Sequence, residues 1–449
     1  MNIPIIIYCL LNINSDIPTA FLHLIFVAGV VGLGYVGLPL AVETAKAGFK
    51  TIGFDVKKEK VDSVNQGHSY IGGVADSDLK MLVEKDMFAA TTDFGEIGKV
   101  DFIAICVPTP LDAHGQPDIG HVESSVKSIA EHLHKGMMVV LESTTYPGTT
   151  EELVKPILES SGLKCGEDFY LGFSSERVDP GNAIYKIKDI PKVVGGLGAD
   201  ASELISAMYE SVLQSKVFRT SSPAVAEMAK MLENSYRNVN IGLINEFAIF
   251  CNEMGIDIWE VIEAAKTKPF GFAPFYPGPG LGGHCIPVDP CYLNYKASAY
   301  DFRLSMIEAS LEVNDRMPEY CVKRIGDMLD RRFRKPLDGS RILILGVAYK
   351  QDIDDYRESP AIRMIDKLRT KGADIMFFDP YIPKFLHLGK VYEGERELTA
   401  ELIRHADMVV ITTPHSNMDY EFVRRHAKAI FDTKNATKDL ADKSNIELL

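Results

Sequence analysis

No lysine or arginine occurs before Lys46, and no two cysteines show Cys-x-x-Cys spacing. No apolar run approaches the roughly 20 residues that span a bilayer. Each absence removes a class of protein. Without a basic start, the apolar opening MNIPIIIYCLLNINSDIPTAFLHLIF does not make a secretory signal, and its run from Ile3 to Leu11 is broken at Asn12. Residues 1–26 are therefore read as an extra arm and not an anchor, either an ordered extension or the product of a start codon placed too early. Seven scattered cysteines, an odd number without metal-type spacing, point to a reduced, cytoplasmic setting and to no metal site. Positive charge is also short: 62 acidic against 48 basic side chains leave −14, which argues against a protein that gains affinity by neutralising a nucleic-acid backbone. Low-complexity tracts and short-period repeats are missing.

What remains is a chain of 449 residues, 46% apolar and 24% charged, enough for two or three domains with real cores. From Phe26 to about Thr220, short β-branched runs (VVG, KTIGFDV, DFIAICVP, MMVVLEST, YLGFSSE) alternate with helical segments such as LPLAVETAKAG and SVKSIAEHL. That alternation predicts a parallel sheet wrapped by helices. From Ser222 to about Gly255 one long helical stretch follows, too long for an ordinary surface helix, and then a loop with five prolines between Pro269 and Pro287. Long ordered loops are usually functional. After a further helical region to about Arg334 the alternation resumes with RILILGVAYK, AIRMIDKLRTKG, DIMFFDPYI and ADMVVITTP. The expected fold class is α/β, with two Rossmann-like, doubly wound parallel-sheet domains joined by a long central helix. The expected boundaries are 27–220, 221–334 and 335–449.

The first chemical signal is Gly32-Leu-Gly34-Tyr35-Val36-Gly37, set between a strand-like run and a helix, with Asp55 ending the next strand 18 residues beyond Gly37. Glycines in that register allow a tight turn and a close approach of backbone N–H groups to a pyrophosphate at a helix N-terminus. A carboxylate at Asp55 accepts from the adenosine ribose and opposes a 2′-phosphate, so the cofactor read from this site is NAD. A chance Gly-rich turn would lack the strand, the helix and the spaced acid together. Ala28-Gly29 inside the first strand is irregular, because glycine weakens a strand. Val107-Pro108-Thr109-Pro110 and Ser143-Thr144 end two later strands. They either face the cofactor's ribose and nicotinamide or form ordinary turns.

Cys285 lies in Leu-Gly282-Gly283-His284-Cys285-Ile-Pro-Val-Asp289-Pro. A cysteine is more often a small buried hydrophobe than a nucleophile. Beside an NAD site, however, one thiol suggests a definite chemistry: the alcohol is oxidised to an aldehyde, the thiolate adds, and a second oxidation leaves a thioester for water to open. A Cys/His/Asp hydrolase is weaker, since adjacency of His284 in sequence confers no geometry. On the central helix Lys230 and Asn234 share a face, with Asn238 one turn further. Lys230 either meets a developing oxyanion, snorkels to solvent, or pairs with Glu227 or Glu233.

GLGYVGLPLA, the Lys230/Asn234 helix, PGPGLGGHCIPVDP and GVAYKQDIDDYRESP occur in an order that resembles the nucleotide-sugar 6-dehydrogenases, the group acting on UDP-glucose, UDP-N-acetylglucosamine, UDP-N-acetylmannosamine and GDP-mannose. The resemblance covers Val27 to about Asn435. It implies a four-electron oxidation of the sugar C6 hydroxyl to a carboxylate by two NAD⁺, a homodimer or higher homo-oligomer formed through the central helix, and neither nucleic acid nor membrane as partner. By the same match Cys285 is the thioester-forming residue and Lys230 the oxyanion stabiliser. Asn234 and Asp289 are its polar partners, Thr144 lies near the reacting carbon, and Glu176 falls on a catalytic glutamate. Here Ser175 replaces the usual proline before it. The match places Gly32, Gly34, Tyr35, Val36, Gly37, Asp55, Lys60, Pro108, Thr109, Ser143 and Arg357 at the cofactor. It places Arg177, Phe275, Tyr276, Gly282 and Lys350 at the UDP-sugar.

Glu176-Arg177 followed by Asp179-Pro180-Gly181 departs from the Glu-Phe-Leu-x-Glu run of UDP-glucose enzymes. The loop from Lys268 to Gly280 is particularly similar to UDP-N-acetylglucosamine 6-dehydrogenases of surface-polysaccharide pathways. UDP-N-acetylglucosamine is therefore the expected substrate, ahead of UDP-glucose and UDP-N-acetylmannosamine. A two-electron hydroxyacid-type dehydrogenase and a catalytically dead nucleotide-sugar-binding protein are the readings from other classes.

Overall fold

The computed structural model describes residues 26–177, 187–213, 215–283 and 285–449. Most of the N-terminal arm, the Asp179-Pro180-Gly181 run and His284 lie outside the described residues. The chain divides into two compact units, Met1–Glu233 with Cys291–Asp301, and Asn234–Pro290 with Phe302–Leu449.

The first unit is built on an eight-stranded sheet. Its strands are β1 (Val27–Val31), β2 (Lys50–Phe54), β3 (Phe88–Thr91), β4 (Phe102–Ile105), β5 (Met138–Leu141), β6 (Tyr170–Ser174), β7 (Lys192–Gly196) and β8 (Val217–Arg219), in the order β3-β2-β1-β4-β5-β6-β7-β8. Strands β1 to β6 pair in parallel, and the first six positions have the doubly wound dinucleotide-binding order. The strands are apolar on both faces because helices cover both. Phe102, Ala104, Met138 and Val140 point into one core, while Ile103, Ile105, Val139 and Leu141 point into the other. The irregular Gly29 has a packing cause. A Cβ there would lie 3.2 Å from Val100 and 3.3 Å from both Ile103 and Phe54, tighter than ordinary contacts. The far edge of the sheet departs from the all-parallel pattern, since β7 runs antiparallel to β6. The helix Ala199–Val212 then carries the chain back, so β8 is parallel to β7.

The second unit has a five-stranded, all-parallel sheet of β9 (Arg341–Leu345), β10 (Asp374–Phe378), β13 (Met408–Ile411), β14 (Ile430–Asp432) and β15 (Ile446–Leu448), ordered β10-β9-β13-β14-β15. Again the side chains alternate between two cores, Ile342 and Ile344 into one, Leu343 and Leu345 into the other. A hairpin, β11 (Lys384–His387) with β12 (Lys390–Glu393), is inserted after β10. Both sheets are thus mixed α/β of the Rossmann-like kind.

The helices that matter for the site are α1 (Gly37–Lys46), α2 (Pro223–Met254), α3 (Ile258–Lys266), α4 (Asp289–Ser298), α5 (Ser305–Phe333) and α6 (Pro360–Thr370). Helix α2 is the long stretch expected from the sequence, and the division between the units falls within it. Its polarity is inverted relative to an ordinary surface helix. Glu227, Lys230, Asn234, Asn238 and Asn245 are buried, whereas Leu232, Tyr236, Leu243, Phe247, Phe250 and Met254 are exposed.

Candidate active site

In the first unit the glycine turn connects β1 to α1, next to the switch point where β1 lies between β2 and β4. The three glycines do three different things. Gly32 has φ +91°, and a Cβ there would lie 2.6 Å from the Cys106 carbonyl oxygen. Gly37 packs so closely on the turn that its Cβ would meet the Gly32 carbonyl at 1.9 Å. A Cβ on Gly34 would meet no atom within 4 Å, so this backbone faces open space. Helix α1 has no acidic residue in its first turn and no side-chain cap at Val36, which leaves its positive dipole end open to an anion, although Leu38 N–H already donates to the Gly34 carbonyl at 3.1 Å and Pro39 has no N–H. These features fit a dinucleotide pyrophosphate.

Asp55 directly follows β2 and is buried. Its carboxylate accepts from Leu33 N–H at 3.0 Å, from Lys57 N–H at 2.9 Å and from the Lys60 ammonium at 3.1 Å. The Tyr70 hydroxyl donates to the Leu33 carbonyl at 2.7 Å. Its pKa is pushed up by burial and by the nearby Asp55 charge. Asp55 therefore braces the glycine turn itself, with Lys60 beside it, at the position where the fold presents an acid to a ribose.

Pro108 and Thr109 follow β4, exposed and half-buried respectively, and Ser143 and Thr144 follow β5. The buried Ser143 hydroxyl donates to the Val107 carbonyl at 2.8 Å, which ties the two strand-end loops together. Glu176 follows β6 and is buried. Lys230 is also buried and donates to the Glu176 backbone carbonyl. Snorkelling is thereby excluded, and so are the carboxylate partners. Glu227 accepts from Gly148 N–H at 2.6 Å, Thr150 N–H at 2.9 Å and the Thr150 hydroxyl at 2.6 Å. Glu233 pairs with Arg177, the guanidinium reaching it at 2.6 Å and 3.2 Å. Arg177 also donates to the Pro191 carbonyl at 2.8 Å.

In the second unit Cys285 stands just before α4 and is exposed. Its carbonyl accepts from Val288 N–H at 3.2 Å and Asp289 N–H at 2.8 Å, which closes the turn that opens the helix. Burial pushes the Cys165 thiol up to about 11 and the Cys321 thiol up to about 12, and raises Cys106 well above its ordinary value. Asn234 donates to the Asp289 carboxylate at 2.5 Å, both groups being buried. Gly282 and Gly283 are explained by contact within this unit. Their Cβ atoms would lie 2.6 Å and 2.9 Å from Tyr349 side-chain atoms, and Gly283 N–H donates to the Arg357 carbonyl at 3.3 Å. Lys350 lies in the loop after β9, at the switch point of the second sheet, and Arg357 further along it is clamped by Asp355 at 2.6 Å.

Phe275 and Tyr276 are placed differently from each other. Phe275 packs edge-on against Tyr236 at 5.7 Å. Tyr276 stacks on Trp259 of α3 at 6.1 Å and donates to Glu263 at 2.8 Å, so its hydroxyl is engaged by that helix. Sequence reasoning passed over Lys434, which follows β14 and packs its ammonium against Gly278. Burial lowers its pKa. Position after a strand end was the one signal that could have found it.

Among the described residues no helix is long and apolar enough to cross a membrane, and no group of three or more His, Cys, Asp or Glu is placed to hold a metal.

A dinucleotide turn in a doubly wound sheet, with a second Rossmann-like unit that carries an exposed thiol, defines an NAD-dependent oxidoreductase. The chain belongs to the UDP-glucose/GDP-mannose dehydrogenase family: the NAD binding domain of that family matches residues 27–213, its central domain 224–316 and its UDP binding domain 343–439. It is 36% identical over 427 residues to the UDP-N-acetyl-D-glucosamine 6-dehydrogenase of Pseudomonas aeruginosa, covering 93% of this chain and 98% of that one. It is 33% identical over 417 residues to the UDP-N-acetyl-D-mannosamine dehydrogenase of Pyrococcus horikoshii, covering 91% and 96%. The solved structure of a UDP-D-ManNAc dehydrogenase from Pyrococcus horikoshii superposes with a TM-score of 0.85 at 31% identity, covering 94% of this chain and 99% of that one. The chain is an NAD-dependent nucleotide-sugar 6-dehydrogenase, and its substrate class is the UDP-sugars.

Proposed function

We propose that the protein oxidises the C6 hydroxyl of UDP-N-acetylglucosamine to the carboxylate in two successive two-electron steps, through a thioester on Cys285. The observation that carries this reading is the contrast among the cysteines: Cys285 is an exposed residue on a turn closed by the Asp289 N–H, while Cys106 and Cys321 are buried. NAD, held by the Gly32–Gly37 turn and Asp55, supplies the hydride acceptor for both oxidations.

The chain's own residues do the rest. The Cys285 thiolate adds to the aldehyde carbon, making a C–S bond and a tetrahedral oxyanion. Lys230, held at the Glu176 carbonyl, is the side chain that stabilises that oxyanion. Once the adduct is oxidised to the thioester, water opens it, releasing the carboxylate and returning the thiol. Asp289, held by Asn234, orients that water. Thr144 and Glu176 contact the sugar, Arg357 the cofactor and Lys350 the uridine diphosphate.

The similarity to the Pseudomonas aeruginosa enzyme supports the N-acetylglucosamine substrate, and the likeness to the Pyrococcus horikoshii structure favours UDP-N-acetylmannosamine as the second reading. Turnover on these two sugars and UDP-glucose, with product mass and NADH counted per sugar, tests the proposal. Acid from UDP-N-acetylglucosamine with about two NADH supports it. A ratio near one removes the thioester, and failure on both N-acetylated sugars removes the substrate.

The inverted polarity of α2 supports a homodimer. Leu232 is 68% and Phe250 61% exposed, in a stripe with helical spacing that also holds Tyr236, Leu243, Phe247 and Met254. Such a stripe is costly in water and fits the same face of a second copy.

A further inference from the structure

The loop that presents Cys285 cannot hold itself. Between Thr267 and Val288 the chain forms no described helix or strand, and its five prolines carry no N–H to donate. What fixes it is a set of buried polar side chains from two helices. On α2, the Asn245 side-chain oxygen accepts from Gly278 N–H at 3.0 Å. Two turns earlier on the same helix, the Asn238 amide donates to the carbonyl of Ile286 at 3.1 Å. Ile286 is the residue directly after Cys285. The loop is thus gripped before the sulfur and immediately behind it.

Helix α5 sets the direction of these amides. The Ser310 hydroxyl donates to Asn238 Oδ1 at 2.7 Å. Asn314 accepts from Asn245 Nδ2 at 2.9 Å and donates to the Asn238 backbone carbonyl at 3.1 Å. Asn238, Asn245, Ser310 and Asn314 are all buried. The Ile286 carbonyl can only accept, so a flipped Asn238 amide would lose that bond, while the Ser310 hydroxyl, which also lies 2.8 Å from the Ile307 carbonyl, meets the amide oxygen. The helices come close enough for this because of Gly242, whose Cβ would lie 2.9 Å from that of Ser310. A network that served packing alone would end on itself. This one ends on backbone groups of the thiol loop.

We propose that Asn238, oriented by Ser310, is a positioning residue for Cys285, setting the sulfur where it meets the aldehyde. The inference rests on the reading of Cys285 as the nucleophile. It makes a distinctive prediction, because the first oxidation needs no sulfur and the second does. Weakening the grip uncouples the two half-reactions instead of slowing both alike.

The test compares the unaltered protein with Asn238→Asp, which keeps shape and the acceptor for Ser310 but turns an oxygen on the Ile286 carbonyl, and with Ser310→Ala, which removes only the orienting hydroxyl. Measured for each are kcat and KM for the UDP-sugar, NADH per sugar, and the rate of Cys285 alkylation by iodoacetamide. The expected result is a kcat for acid formation about 10- to 100-fold lower with KM within about twofold. NADH per sugar should fall from about two toward one as aldehyde escapes. Cys285 alkylation should be accelerated in the same variants. Unchanged kcat, stoichiometry and alkylation overturn the proposal, as does an equal loss of both half-reactions. If Asn238→Asp does not fold, Ser310→Ala decides. Should Cys285→Ala still make acid, the nucleophile reading falls, and the alkylation comparison alone decides whether Asn238 fixes the loop.

Discussion

Lys230 and Glu176 are joined by a hydrogen bond from the lysine ammonium to the glutamate's backbone carbonyl, both residues being buried in the first unit. A lysine taken out of water and given a neutral acceptor is poorly compensated as a stabilising feature, in keeping with the oxyanion role proposed for it. Replacing it with methionine should therefore lower kcat by about 100-fold or more, the order seen when a preorganised oxyanion partner is lost. The thermal midpoint should be unchanged or higher. A steady-state assay beside a melting curve checks both. A large drop in stability with modest loss of rate would make Lys230 structural.

Cys285→Ala should abolish acid formation while leaving NAD affinity within about twofold, since the glycine turn and Asp55 lie in a different part of the chain. Product mass and a fluorescence titration of NAD read the two effects separately.

Asp379 in the second unit directly follows β10, as Asp55 follows β2, yet its surroundings differ. It accepts from Val347 N–H at 2.7 Å, Ala348 N–H at 3.0 Å and His415 Nε2 at 3.1 Å, and from Tyr381 N–H at 2.9 Å on its other oxygen. Burial works to raise its pKa, but the hydrogen bond and charge of His415 and the backbone donors outweigh that and hold it below the usual carboxylate range. The resulting stability is fully present above the unfolded value of about 3.9 and is lost as pH falls through the lower folded value. Asp379→Asn turns an amide on backbone donors whichever way it faces. It should cost about 1–3 kcal/mol near neutral pH, with a smaller loss toward acid. Thermal melts of both proteins from neutral to acid pH test this.

Phe250→Glu places a charge in the exposed apolar stripe of α2 and should convert the proposed homodimer to a monomer, read by sedimentation velocity. A monomeric parent protein would contradict the assembly proposed here.

Local features were legible in the sequence. The Gly32–Gly37 turn, Asp55, the span of α2 and the strands β1, β2, β4, β5, β6, β9, β10 and β13 follow from spacing and periodicity, because each depends on residues a few positions apart. Strands β3, β7, β8 and β15 are not read from the sequence. Gly29 looked like a flaw until packing showed Val100, Ile103 and Phe54 filling the space of its Cβ. Lys230 offered three alternatives because Glu227 and Glu233 sit within a turn of it. Tertiary contacts alone show one bound to Gly148 and Thr150 and the other to Arg177. Nothing near Asn245 in the sequence hints at Asn314, 69 positions away.

By itself, then, the sequence determined the fold class, the cofactor turn and the family, since these are written in short-range patterns of glycine, charge and apolar period. Only the tertiary structure decided which buried polar group meets which. Hydrogen bonds inside a low-dielectric interior are settled by what else is buried beside them, and chain order does not carry that information.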